Sequence, residues 1–154
     1  MVEVELLFGG VFAPKGVGRL YEVNGKMNAE QHKTILKFCA IPLDGVPMPG
    51  NAFIFMQDNA PVHTAGSVKQ FCEEAGLKIL DWPGQSPDLN PIENLWGFMK
   101  RKMRGVPCKN AQELFSKLLE VWRRLGIDYL RKLVESMPRR LRQCIRMRGR
   151  PTRY

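Results

Sequence analysis

Apolar and polar residues alternate from Val2 and then run together to Phe12 (VEVELLFGGVF), which predicts a β-strand. Ala13-Pro14-Lys15-Gly16 reads as a turn, and Gly18 to Val23 (GRLYEV) as the partner strand of a hairpin. Asn24-Gly25 is a second turn signal. Asn28 is placed to cap a helix whose residues Ile35, Leu36 and Cys39 share one face. Pro42 to Gly50 reads as a surface loop. Ala52 to Gln57 (AFIFMQ) is a short, nearly continuous apolar run, the pattern of a strand buried on both faces. It stops abruptly at Asp58-Asn59-Ala60-Pro61.

Thr64 can cap the next helix, which runs to about Ala75 and ends at Gly76. Lys78 to Leu80 predicts a short strand, and Trp82 to Pro91 a proline-rich loop. Helices are expected from Pro91 to about Arg104, Ala111 to Leu125, Ile127 to Ser136 and Pro138 to Met147. In the second of these, Leu114, Leu118, Trp122 and Leu125 fall at helical spacing, so Trp122, like Trp96, reads as core. The order predicts an α/β protein: a mixed sheet with flanking helices. From about residue 110 the chain is helical and basic, and no repeat or second domain interrupts residues 1–154.

Composition adds a partner class. The chain has 24 Lys and Arg against 15 Asp and Glu, a formal charge of +9, which favours polyanions. Its four cysteines and two histidines show no metal-ligand spacing, which argues against a zinc site. Free thiols in a reducing compartment are expected. No signal peptide opens the sequence and no apolar run is long enough to span a bilayer, so no membrane partner is expected.

Two acids stand where a metal site could form. Asp58 follows the buried strand, and ligands collect at the C-terminal ends of strands in open α/β sheets. On local context alone it equally fits a turn aspartate that bonds its own backbone. Glu93 is the third residue of a helix with Asn90 at the N-cap and Pro91 first, so it equally fits a capping box. A carboxylate at a helix start is rigidly held, which suits a magnesium ligand.

Around these acids, MQDNAPVHT (56–64) and LDWPGQSPDLNPIENLWG (80–97) resemble the second and third acid motifs of mariner-superfamily DDE transposases, in the Tc-one-like branch. The spacing is similar too, with 34 residues between Asp58 and Glu93. GVGRL (16–20), GKMNA (25–29) and RGRPTRY (148–154) are similar to the family's hairpin, first helix and C-terminal tail. Essentially the whole chain is covered. Phe8-Gly9 departs from the family's usual Trp-Gly pair.

The resemblance implies an RNase H-like fold and a two-ion Mg²⁺ (or Mn²⁺) centre for DNA cleavage and strand transfer. Asp58 would be the second acid and Glu93 the third, with Asn59, His63 and Asn94 beside them. It further implies DNA as partner, a nuclear location and compatibility with a homo-oligomer. The family's first acid lies on the sheet's first strand, upstream of the hairpin. Glu3, Glu5, Glu22, Glu30 and Asp44 are the acids before Asp58, and none matches that motif. The expectation is therefore a C-terminal part of the catalytic domain, its sheet incomplete at the N-terminus and inactive alone. A degenerate, non-enzymatic relic that binds nucleic acid is the alternative. Lys100, Arg101, Lys102 and Arg104, with Arg139, Arg140, Arg142 and Arg146, are the expected contacts to the DNA backbone.

Overall fold

The computed structural model describes residues 7–23, 25–40, 54–81, 87–150 and 152. The opening residues, the Pro42–Gly50 loop, Asn24, most of the loop from Trp82, Arg153, and the acids Glu3, Glu5 and Asp44 lie outside them. A hairpin comes first, β1 (Leu7–Ala13) against β2 (Gly16–Val23), antiparallel, with a register shift between Gly10 and Phe12. Its adjacent glycines explain how it is packed. A Cβ on Gly9 would come 3.0 Å from Ile35, and one on Gly10 would come 3.1 Å from Trp122. Because successive strand residues point to opposite faces, helices press on both sides of the hairpin at this point.

On one side lies α1 (Ala29–Ile35), continued by a π turn over Leu36–Ala40. Asn28 caps it in a full capping box with Gln31. Ile35, Leu36 and Cys39 are all buried, the face the periodicity predicts. On the other side is the main core: Leu20 packs with Leu95, Met99, Leu118, Trp122, Leu125, Leu130 and Leu133. These come from α4 (Pro91–Met103), α5 (Ala111–Arg123) and α6 (Ile127–Glu135) and the turn after α5. Trp96 and Trp122 stack with centroids 5.4 Å apart, Phe8 meets Trp96 edge-on, and the Trp122 indole donates to the Gly18 carbonyl at 2.8 Å. Both tryptophans belong to the core, as their spacing predicts.

The second pair of strands is β3 (Ile54–Phe55) and β4 (Lys78–Ile79), parallel. Between them run α2 (Pro61–Thr64) and α3 (Gly66–Glu74), and α7 (Met137–Arg146) ends the helical part. Antiparallel and parallel pairings are both present, but among the described residues they form two separate two-stranded sheets. The doubly buried strand is corrected as well. Ile54 is 53% exposed, while Phe55 packs against the small core of Leu36, Val68 and Cys72. Thr64 does not cap α3. Pro61 starts a short helix one turn earlier, so Thr64 is already helical; its hydroxyl bonds back to the Ala60 and Pro61 carbonyls, and Ala65 takes the N-cap place. Gly76, at φ +67°, ends α3 as the sequence predicts. Among the described residues no helix is long and apolar enough to cross a membrane.

Candidate metal centre

Asp58 stands three residues beyond β3, where the chain turns into α2. Its Oδ1 accepts the Ala60 N–H at 3.0 Å, the two-residue turn bond expected of an aspartate. The same oxygen lies 2.5 Å from Nδ1 of His63 on α2. Behind His63, the buried His32 of α1 stacks with ring centroids 4.0 Å apart. His32 Nε2 meets Gln57 Oε1 at 3.0 Å, and Gln57 Nε2 donates to the His63 carbonyl at 3.4 Å. Burial, then the neighbouring His63, bring the His32 pKa down to about 4, against the smaller opposing effects of Gln57 and Asp58.

Glu93 lies in the first turn of α4, after a short 3-10 turn at Pro87–Leu89. The capping box is not formed. Asn90 accepts the Ile92 N–H at 3.4 Å, and among the described residues Glu93 makes no bond back to it. The carboxylate is left for other work. Burial and then the charge of Asp58 raise its pKa from the ordinary carboxylate value, with Lys100 partly offsetting them. Glu93 is exposed by area, so solvent screens the effect and keeps it modest. The two acids are therefore near enough to repel each other. Two like-charged carboxylates, one with an oxygen turned from its own bonds, suit a hard divalent cation. Among the described residues no group of three or more His, Cys, Asp and Glu is arranged to hold a metal ion.

The remaining candidates separate. Asn59 follows Asp58 directly. Asn94 is engaged elsewhere, its Oδ1 accepting from Arg140 Nη2 at 2.6 Å. Arg140 itself is a correction: it is 2% exposed and not on the surface. Its Nε donates to Ser136 Oγ at 2.7 Å and its Nη1 to the Asp88 carbonyl at 2.8 Å. The residue falls one turn after Ser136, on the buried stripe that Leu133 begins, so its guanidinium ties α7 to the start of α4. Asp88 is also held from the C-terminal arm, its Oδ2 accepting the Thr152 N–H at 2.8 Å. Lys100, Arg101, Lys102, Arg104, Arg139, Arg142 and Arg146 are all exposed. His32, Gln57 and Asp88 were missed as site residues. A polar His32 on an otherwise apolar helix face was the one available signal.

The profile of the DDE superfamily endonuclease family matches residues 8–115, which include both acids. The Tcb1 transposase of Caenorhabditis briggsae is 36% identical over 145 residues, 94% of this chain and 53% of that protein. The chain thus spans about half the length of that curated relative. The Mos1 transposase catalytic domain, in a structure with raltegravir and Mg, has a similar fold. Its TM-score is 0.83 at 21% identity, across 96% of this chain and 77% of that one. The Mos1 mariner paired-end complex with Mn gives a TM-score of 0.84 at 21% identity, across 96% and 45%. The chain belongs to the DDE superfamily endonucleases, and it is similar to Tc1-like transposases over most of its length.

Proposed function

We propose that Asp58 and Glu93 are two of the three carboxylates of a divalent-metal centre that cleaves and joins DNA in transposition. The observation that carries the reading is that both acids fall within the segment matched by the DDE endonuclease family, and the repulsion of Asp58 felt at Glu93 supports it. A cation between them would relieve that repulsion, so the donor set fits Mg²⁺ or Mn²⁺. Two such ions, when bound, supply an activated water or 3′-hydroxyl and take up charge on the leaving oxygen. In this reading the third carboxylate comes from outside the described residues. The two strand pairs then belong to one RNase H-like mixed sheet, whose first strand is likewise not among them. Asn59 and His63 support the Asp58 side, and Asn94 the helix that carries Glu93.

Lys100, Arg101, Lys102 and Arg104 lie further along the Glu93 helix. They and Arg139, Arg142 and Arg146 contact DNA phosphates, which positions the duplex without reading its sequence. The reading places the protein in the nucleus, on DNA, with a second copy of the chain as a further partner.

The test is a nicking assay on supercoiled plasmid with MgCl₂ or MnCl₂. The chain alone is expected to leave the plasmid intact. A chimera in which it replaces the matching part of a relative's catalytic domain is expected to nick, and Asp58→Ala or Glu93→Ala to abolish this. A folded chimera that is inactive, or whose activity survives either substitution, overturns the metal-centre reading. Nicking by the chain alone, lost in Asp58→Ala, would mean that another acid completes the site.

A further inference from the structure

Among the described residues, Asp58 accepts hydrogen bonds on one oxygen only. Oδ1 receives both the Ala60 N–H and His63 Nδ1, which engage its two lone pairs. The bonds behind it fix the proton positions. The His63 carbonyl can only accept, so the Gln57 amide must turn its Nε2 toward it. Gln57 Oε1 then faces His32, whose Nε2 must carry the hydrogen. Asp58 accepts as a carboxylate, so His63 carries its hydrogen on Nδ1. The stack of His32 on His63, at 4.0 Å and 30°, keeps the second ring from turning away.

We propose that His63 is a positioning residue that restricts Asp58 to one-oxygen coordination, leaving Oδ2 for the cation, with His32 and Gln57 holding His63 in that orientation. This rests on the metal-centre reading above. Its consequence is ion selectivity. A single oxygen per carboxylate suits the tight octahedral shell of Mg²⁺ or Mn²⁺, whereas Ca²⁺, with six to eight ligands, readily takes both oxygens of a carboxylate. Freeing Oδ1 would weaken binding of the small ions through lost orientation and favour Ca²⁺ in relative terms.

The experiment titrates the full chain with MnCl₂, following free Mn²⁺ by paramagnetic resonance, and then competes with CaCl₂. The wild type is expected to bind Mn²⁺ and Asp58→Asn to lose it. His63→Ala should bind Mn²⁺ roughly 10-fold or more weakly, the size usual for residues supporting a metal ligand, with the Ca²⁺-to-Mn²⁺ affinity ratio raised. His63→Asn, whose amide N–H can take the place of Nδ1–H, should restore both values. Loss of binding in Asp58→Asn beside wild-type affinity and ratio in a folded His63→Ala overturns the positioning role alone. Unchanged binding in Asp58→Asn overturns the metal-centre reading and this inference with it; should the chain alone not bind Mn²⁺, the same titrations on the chimera, which carries all three carboxylates, decide, and no binding there overturns both. Should His63→Ala fail to fold, ¹⁵N imidazole spectra of the wild type decide. An Nδ1–H tautomer at His63 that is perturbed in Asp58→Asn supports the role, and an Nε2–H tautomer overturns it.

Discussion

Asp58 and Glu93 are held in opposite ways. Asp58 sits beyond a two-residue strand, on irregular backbone, and its carboxylate is fixed directly by His63 and the Ala60 N–H. Glu93 sits on a 13-residue helix, and among the described residues its carboxylate has no such clamp; the start of its helix is braced instead, by Arg140 reaching Asn94 and the Asp88 carbonyl. Where the backbone is weakly defined, the side chain itself is tied. Where the backbone is rigid, fixing the element is enough, and the carboxylate stays available. The clamp on Asp58 is local, on α2, with His32 of the first helix stacked behind it, whereas the brace on α4 comes from the last helix.

The largest expected effect tests the bracing side. Arg140→Ala strands the acceptors that meet a buried guanidinium, and should cost about 3–5 kcal/mol. Thermal unfolding should show a midpoint lower by roughly 10 °C. A shift of about a degree would mean that α4 stands without the brace. Next comes the histidine behind Asp58. The folded pKa of His32, about 4, lies below its ordinary value of 6.5, so the unfolded chain binds more protons between these pH values. Stability is therefore full above about pH 6.5 and falls as pH drops toward 4, by on the order of 3 kcal/mol. Urea midpoints at pH 4 and pH 7 should show the loss, and His32→Gln should reduce it.

Smaller effects separate the helix starts. Asn28→Ala removes a full capping box and should cost about 1 kcal/mol, while Asn90→Ala, with its long bond to Ile92, should cost less. Equal losses in denaturant titrations would mean that α4 is capped more firmly than its geometry indicates. The smallest effect has the opposite sign. The raised pKa of Glu93 means its charge is destabilising once pH exceeds the folded value, so Glu93→Gln should raise the unfolding midpoint slightly at pH 7. In Asp58→Asn the same substitution should do less, because one cause of the shift is gone.

The sequence revealed the helices most clearly, because each one buries a periodic stripe. Leu118 and Trp122 are buried as their spacing predicts, and Asn28 caps the helix that follows it. It also marked Asp58 and Glu93, since a strand end and a helix start are local signals. Tertiary demand decided the rest. Arg140 looked like one more cation in a basic run, yet the stripe through Leu133 and Ser136 carries it inward, where it finds acceptors 46 and 52 residues away. Glu93 fits a capping box by spacing, and no local rule reveals that the charge of Asp58 acts on it. The histidine stack is invisible for the same reason: 30 residues lie between its two rings along the chain.

The paired glycines of the first strand carry a consequence for that stack. Ile35, which touches Gly9, stands on the same short helix as His32, less than one turn further on. A single methyl group added at residue 9 would meet the tip of the Ile35 side chain at 3.0 Å and press on the helix that carries His32. The hairpin thus works as a spacer whose thickness sets how closely the first helix approaches the carboxylate side of the molecule.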